Sequence, residues 1–200
     1  MYQWNKLSQK DRDHMIAIRK GRKHAWHAPP HWEYEGNIRF FITATCYKHQ
    51  KIIGHSAARM SECETAVLDA CAKLEAKVYS WCILPNHYHL LALTDRIDDL
   101  RSELGQFHGR SSYEWNGQDK ARGRKVWYKA LERPMRSERH FWATMNYIHN
   151  NPVKHGYVKC WQDWPYSSSR EFIEKVGREE AERIWYEYPI RDYGKKWDFD

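Results

Sequence analysis

Strand-forming side chains run from Lys77 to Thr94 with one break, at Pro85-Asn86. Proline has no N–H to give to a sheet ladder, and Asn beside it favours a tight turn. The stretch therefore predicts two short strands, 77–84 and 87–94, folded back on each other as a hairpin. A lone hairpin is not stable in water, so its flanks decide the fold. Upstream, 37–47 is β-rich (Ile38, Phe40, Phe41, Ile42, Thr43, Thr45). Ser61-Glu62-Cys63-Glu64 matches a capping box, and Val67, Leu68, Cys71 and Leu74 supply the apolar face of the helix it would open. Downstream, Ile97, Leu100, Leu104 and Phe107 recur at helical spacing over 96–108. Asn116-Gly117 and Arg122-Gly123 mark a loop, and 125–131 is a fourth strand. Ser137 caps a further helix carrying Phe141, Met145 and Ile148, which Pro152 and Gly156 should end. The order is βαββαβ, then a helix. It predicts an α+β, ferredoxin-like antiparallel sheet with helices on one face plus a C-terminal tyrosine-bearing helix.

The chain has 200 residues, enough for one domain with extensions. Residues 1–36 read as a basic arm, with Arg19, Lys20, Arg22 and Lys23 clustered before Pro29-Pro30. Residues 37–170 form the domain, and 171–200 add a short helix, Phe172 to Trp185, and a polar tail. The five cysteines are odd in number and include no Cys-x-x-Cys pair, which argues against a disulfide framework or zinc ribbon. The N-terminus lacks a signal-peptide core and no apolar run has membrane length, so the expectation is a cytoplasmic protein without a membrane partner. The net charge of +7 suits a polyanionic partner without proving one.

Two segments could carry chemistry. On a strand, His87 and His89 point to the same face while Tyr88 points away, so both imidazoles could approach one metal ion. With 12 His in the chain, about 0.7 His-x-His triplets arise by chance, so the triplet alone decides little. Two polar side chains at the mouth of the apolar run Leu90-Leu91-Ala92-Leu93 do, however, need a partner or solvent. In the helix, Tyr147 and Asn151 lie four residues apart and share a face. Read alone, they could be a core tyrosine and a helix-end Asn. Read with the histidines, His87, His89 and Asn151 make three ligands for a divalent ion, with room for a phosphate oxygen, and Tyr147 would face that phosphate.

Leu84-Pro85-Asn86-His87-Tyr88-His89-Leu90-Leu91 resembles the His-hydrophobic-His signature of single-tyrosine transposases of the HUH superfamily. The segment from Tyr147 through Asn151-Pro152 to Val158 resembles the tyrosine helix of the REP-associated branch of the IS200-like transposases, and Trp164-Pro165-Tyr166-Ser167-Ser168 a motif that follows it there. The resemblance covers about residues 37–170. It implies a βαββαβ fold, Mg²⁺ or Mn²⁺ on His87, His89 and Asn151, and Tyr147 as the nucleophile of a 5′-phosphotyrosine intermediate. It also implies that the substrate is single-stranded DNA beside a palindromic hairpin, handled by a monomer or homodimer.

Between 120 and 139, eight Lys or Arg surround Trp127 and Tyr128. Arg122, Arg124, Lys125, Lys129, Arg133 and Arg136, with Lys154 and His155 past the tyrosine helix, are candidate DNA contacts; a solvated charged face accounts for the basic stretch equally well. Two other functions fit the same residues: a module of this fold that grips hairpin nucleic acid without cutting it, and a metal-dependent hydrolase using water.

Overall fold

The strands on either side of Pro85 pair as the sequence predicts. In the computed structural model, which describes residues 8–10, 13, 36–191 and 193, β1 (Ile38–Cys46), α1 (Ala57–Lys73), β2 (Lys77–Leu84), β3 (His87–Thr94), α2 (Ile97–Gln118), β4 (Trp127–Pro134) and α3 (Glu138–Lys154) follow one another, then α4 (Ser169–Val176) and α5 (Arg178–Glu187). The sheet order is β2-β3-β1-β4, every neighbour antiparallel. This is the ferredoxin-like arrangement, with β3 and β1 in the centre.

Alternation along β3 sets up two cores. Tyr88 faces α2, pairing with His108 and lying edge-on to Trp127, and α1 packs beside them. His87, His89 and Leu91 face the other way. There α3 closes a cluster of Phe41, Cys82, Leu84, Leu91, Phe141, Met145, Tyr147 and Ile148. The sheet is thus covered by α1 and α2 on one face and by the tyrosine helix on the other. Ser137 caps α3 through His140 N, and Arg39 ties its first turn to β1, bonding Glu138 at 2.7 Å and lying 4.5 Å over the Phe141 ring. Past α3, the segment around Ser167 adds itself to the edge of β2: Ile83 N donates to Tyr166 O and Ser168 N to Trp81 O.

Several boundaries differ from the sequence expectation. The cap of α1 is Ser56, whose Oγ accepts from Arg59 N at 3.2 Å; Ser61 lies inside the helix. Helix α2 runs ten residues past 108, because the periodic buried face continues through Ser111 and Trp115. Asn116-Gly117 is its last turn rather than a loop. Asn116 clips the following segment, donating to Arg124 O and accepting from Arg124 Nε. β4 ends at Pro134, three residues beyond 131. Pro152 sits buried within α3, which continues to Lys154. The single helix expected after 171 is two, broken at Gly177, whose φ of +84° is open to glycine.

The chain divides into two compact units, Met1–Glu35 and Gly36–Asp200. In the first, Gln9 donates to Asp13 one turn on; the basic cluster at 19–23 and Pro29-Pro30 lie outside the described residues, as does most of the tail after 191. The cysteines are unpaired thiols, and no described helix is long and apolar enough to cross a membrane.

Candidate functional site

The fold brings His87, His89, Tyr147 and Asn151 together. The histidine rings lie 4.8 Å apart between centroids, and His89 lies 5.3 Å from the Tyr147 ring. Asn151 Oδ1 is 3.0 Å from His87 Nε2. The four are buried rather than at a surface mouth; Tyr147 is 1% exposed, with Phe41 edge-on to its ring and Tyr193 5.5 Å away. Helix α3 supplies Tyr147 and Asn151 from one face, and β3 supplies the histidines from the face it turns toward α3.

Asn86 fixes the chemistry of His87. Its Nδ2 donates to the His49 carbonyl at 3.2 Å, which leaves Oδ1 aimed at His87 Nδ1, 2.7 Å away. An amide oxygen only accepts, so Nδ1 carries a proton, and in the neutral ring Nε2 holds the lone pair. That lone pair faces Asn151 Oδ1, a second acceptor, while Asn151 Nδ2 is buried with no hydrogen-bond partner among the described residues. Two acceptors 3.0 Å apart repel unless a cation lies between them, the imidazole carries a second proton on Nε2, or the amide turns over to present Nδ2. The donor set, two imidazoles and an amide oxygen, suits a divalent ion with open positions. Among the described residues no three His, Cys, Asp or Glu side chains form a metal cluster, so the third ligand here would be Asn151.

The other candidates separate. Lys154 Nζ lies 5.2 Å from the Tyr147 ring, and His155 lies 5.1 Å from His87, so both border the site. Arg124 pairs with Asp119 at 2.6 Å, and Arg59 binds the same carboxylate, holding it well below the usual carboxylate range; Arg124 thereby buttresses the end of α2. Arg122 lies over the Tyr113 ring. Thr45 of β1 pairs with His87 on one side and Lys129 on the other, whereas Arg133 pairs with Phe41, four residues along β1. Arg133 and Arg136 thus belong to the far end of the sheet, and Lys125 to the His87 end.

The sequence reading used Asn86 only as a turn residue and missed its hold on His87. It also missed His149, which is buried on α3 with its imidazole pushed down to about 3 by desolvation. His149 stacks on Trp161, the rings 4° from parallel, and bonds Ser168 Oγ at 3.1 Å, pinning the tyrosine helix to the edge segment of β2.

No established family profile matches the chain. A protein of Haemophilus influenzae provisionally named REP-associated tyrosine transposase is 30% identical over 144 residues, 67% of this chain and 80% of that protein. This chain belongs to the REP-associated tyrosine transposases. The Escherichia coli K12 REP-associated tyrosine transposase is also 30% identical, over 95 residues covering 46% of this chain and 53% of that protein. A solved REP-associated tyrosine transposase bound to a REP hairpin shares the fold, with a TM-score of 0.60 over 76% of this chain and 87% of that one at 18% identity.

Proposed function

We propose that this transposase cuts and rejoins single-stranded DNA beside a palindromic hairpin, with Tyr147 as nucleophile and His87, His89 and Asn151 as ligands of Mg²⁺ or Mn²⁺. The observation that carries the reading is the convergence of the tyrosine with a histidine pair and an amide oxygen that could serve one cation together. A hairpin is the partner named for a structural relative, and that name supports the same partner here.

Tyr147 Oη would attack the scissile phosphorus. The Oη–P bond forms, the P–O3′ bond breaks, the phenol proton is lost and the departing 3′ oxygen gains one. A bound divalent ion would polarise the phosphate and offset the charge added in the transition state. Lys154 places a positive charge beside a phenol that must lose its proton to react. The 5′-phosphotyrosine keeps the energy of the broken phosphodiester, so a second 3′ hydroxyl can reverse the step without ATP. Asn86 holds the His87 ring in the tautomer that presents Nε2.

One observation favours a second reading. Tyr147 is 1% exposed, as it would be in a module that grips hairpin DNA without cutting it. Incubating the chain with a hairpin oligonucleotide carrying a single-stranded flank and Mn²⁺, then running a denaturing gel, separates the two. The enzyme gives a protein–DNA adduct that EDTA abolishes; the binding module gives none.

A further inference from the structure

Beside the histidines, at the end of β1, the chain makes a tight turn over Tyr47–His49. Lys48 and His49 both take positive φ, 54° and 53°, in succession, a conformation costly for side chains with a Cβ. The turn is held by Tyr47 N donating to Val126 O at 2.7 Å and by the His49 carbonyl accepting from Asn86. Across from it, the β1–β4 ladder shifts register: Thr45 pairs with Lys129 but Cys46 pairs with Trp127, leaving Tyr128 as an extra residue. Such bulges redirect a side chain. Trp127 turns toward α2, stacking on His108, and Tyr128 comes to lie beside Tyr47.

The two irregularities produce one feature. The Tyr47 and Tyr128 rings stand 6.1 Å apart, 38° from parallel, both only partly buried. The exposed Lys125 lies 5.0 Å and 5.3 Å from their centres, and Lys48 5.6 Å from that of Tyr47. Partly exposed aromatic rings with lysines beside them are the recognition chemistry of unpaired nucleotides: the rings stack on bases and the ammonium groups meet phosphates. Through His49 and Asn86, the pair is connected to His87 by two hydrogen bonds.

We infer that Tyr47 and Tyr128, with Lys125, form a stacking platform for the unpaired nucleotides that adjoin the scissile phosphate. The inference rests on the single-strand reading of the site next to it. A base arriving on the rings would displace Lys125 from its ring contacts to a phosphate.

The test is equilibrium binding of fluorescein-labelled oligothymidylate, without divalent metal, across a range of salt. Tyr47→Leu and Tyr128→Leu should each weaken binding roughly tenfold, and Tyr47→Phe, which keeps the ring, should restore it. Lys125→Ala, a change at an exposed position, should reduce the slope of log K against log salt by about one. A blunt duplex, whose bases are covered, should compete poorly. Wild-type-like binding by the Tyr47→Leu/Tyr128→Leu double variant, or equal competition by blunt duplex, would overturn the platform. If the leucine variants lose their fold by circular dichroism, the Tyr47→Phe and Lys125→Ala arms decide: loss of binding in the first or an unchanged salt slope in the second overturns it. Adduct formation with Mn²⁺, scored separately in the wild-type chain, reports on the nicking reading alone. A chain that makes adduct but shows no loss in the leucine variants refutes the platform and leaves the enzyme standing.

Discussion

Acid should unfold this protein through a histidine that takes no part in the proposed chemistry. His108 stacks on Trp127 with centroids 4.2 Å apart, and its Nε2 lies 3.0 Å from Tyr88 Oη. Burial pushes its imidazole from 6.5 down to about 4. The folded state therefore resists protonation that the unfolded chain accepts. Above about pH 6.5 both states are neutral and the group contributes nothing; as pH falls from there to about 4 the unfolded state gains a proton first, and stability is lost; below about 4 the loss is complete. At about 1.4 kcal/mol per pH unit, the gap amounts to about 3 kcal/mol. The buried His149 adds a loss of the same sign, so the His108 share must be isolated by difference. Urea unfolding of wild type and His108→Gln, followed between about pH 7 and about pH 4, should show the wild type losing about 3 kcal/mol more than the variant over that window. Identical pH dependence in the two proteins would refute the reasoning. The consequence reaches the site, because Tyr88, which His108 anchors, stands between His87 and His89 on β3.

Asn86→Ala should lower Mn²⁺ affinity about 10- to 100-fold by calorimetry, since the residue orients a ligand without being one; unchanged affinity would remove its hold on His87 from the account. Gly54→Ala should cost about 1–3 kcal/mol and weaken metal binding as well. A Cβ there would lie 2.8 Å from Pro85 Cα, on the turn that carries Asn86, and a wild-type melting curve would show that the turn can yield. Asn151→Ala should abolish adduct formation while leaving the far-UV circular dichroism unchanged; adduct at the wild-type rate would dismiss Asn151 as a ligand.

Much of this is legible in the sequence alone. Hydrophobic period and turn residues are local signals, and they placed the hairpin, the order of elements and the pairing of Tyr147 with Asn151 on one helical face. What stayed hidden depends on long-range partners. Asn116-Gly117 has the form of a turn, but Trp115 beside it is fully buried and Arg124 engages the Asn amide, so the helix continues through both. Ser61 satisfies a capping pattern, yet Ser56 takes the cap. Burial of the histidines could not be read from β3, whose covering layer is a helix some 60 residues downstream. The tautomer of His87 depends on a carbonyl at His49, and no spacing rule connects those positions. The basic stretch is divided in a way its contiguity does not show, between a buttress under α2 and the two ends of the sheet.

The central claim is that Tyr147 becomes covalently joined to DNA. The direct measurement is mass spectrometry of the adduct formed with Mn²⁺ and a hairpin oligonucleotide, in wild type and in Tyr147→Phe. The account predicts a nucleotide-modified peptide containing Tyr147 in the wild type, and in Tyr147→Phe no adduct despite near wild-type hairpin binding. An adduct that persists in Tyr147→Phe and maps to Tyr113, Tyr128, Tyr157 or Tyr166 would contradict it.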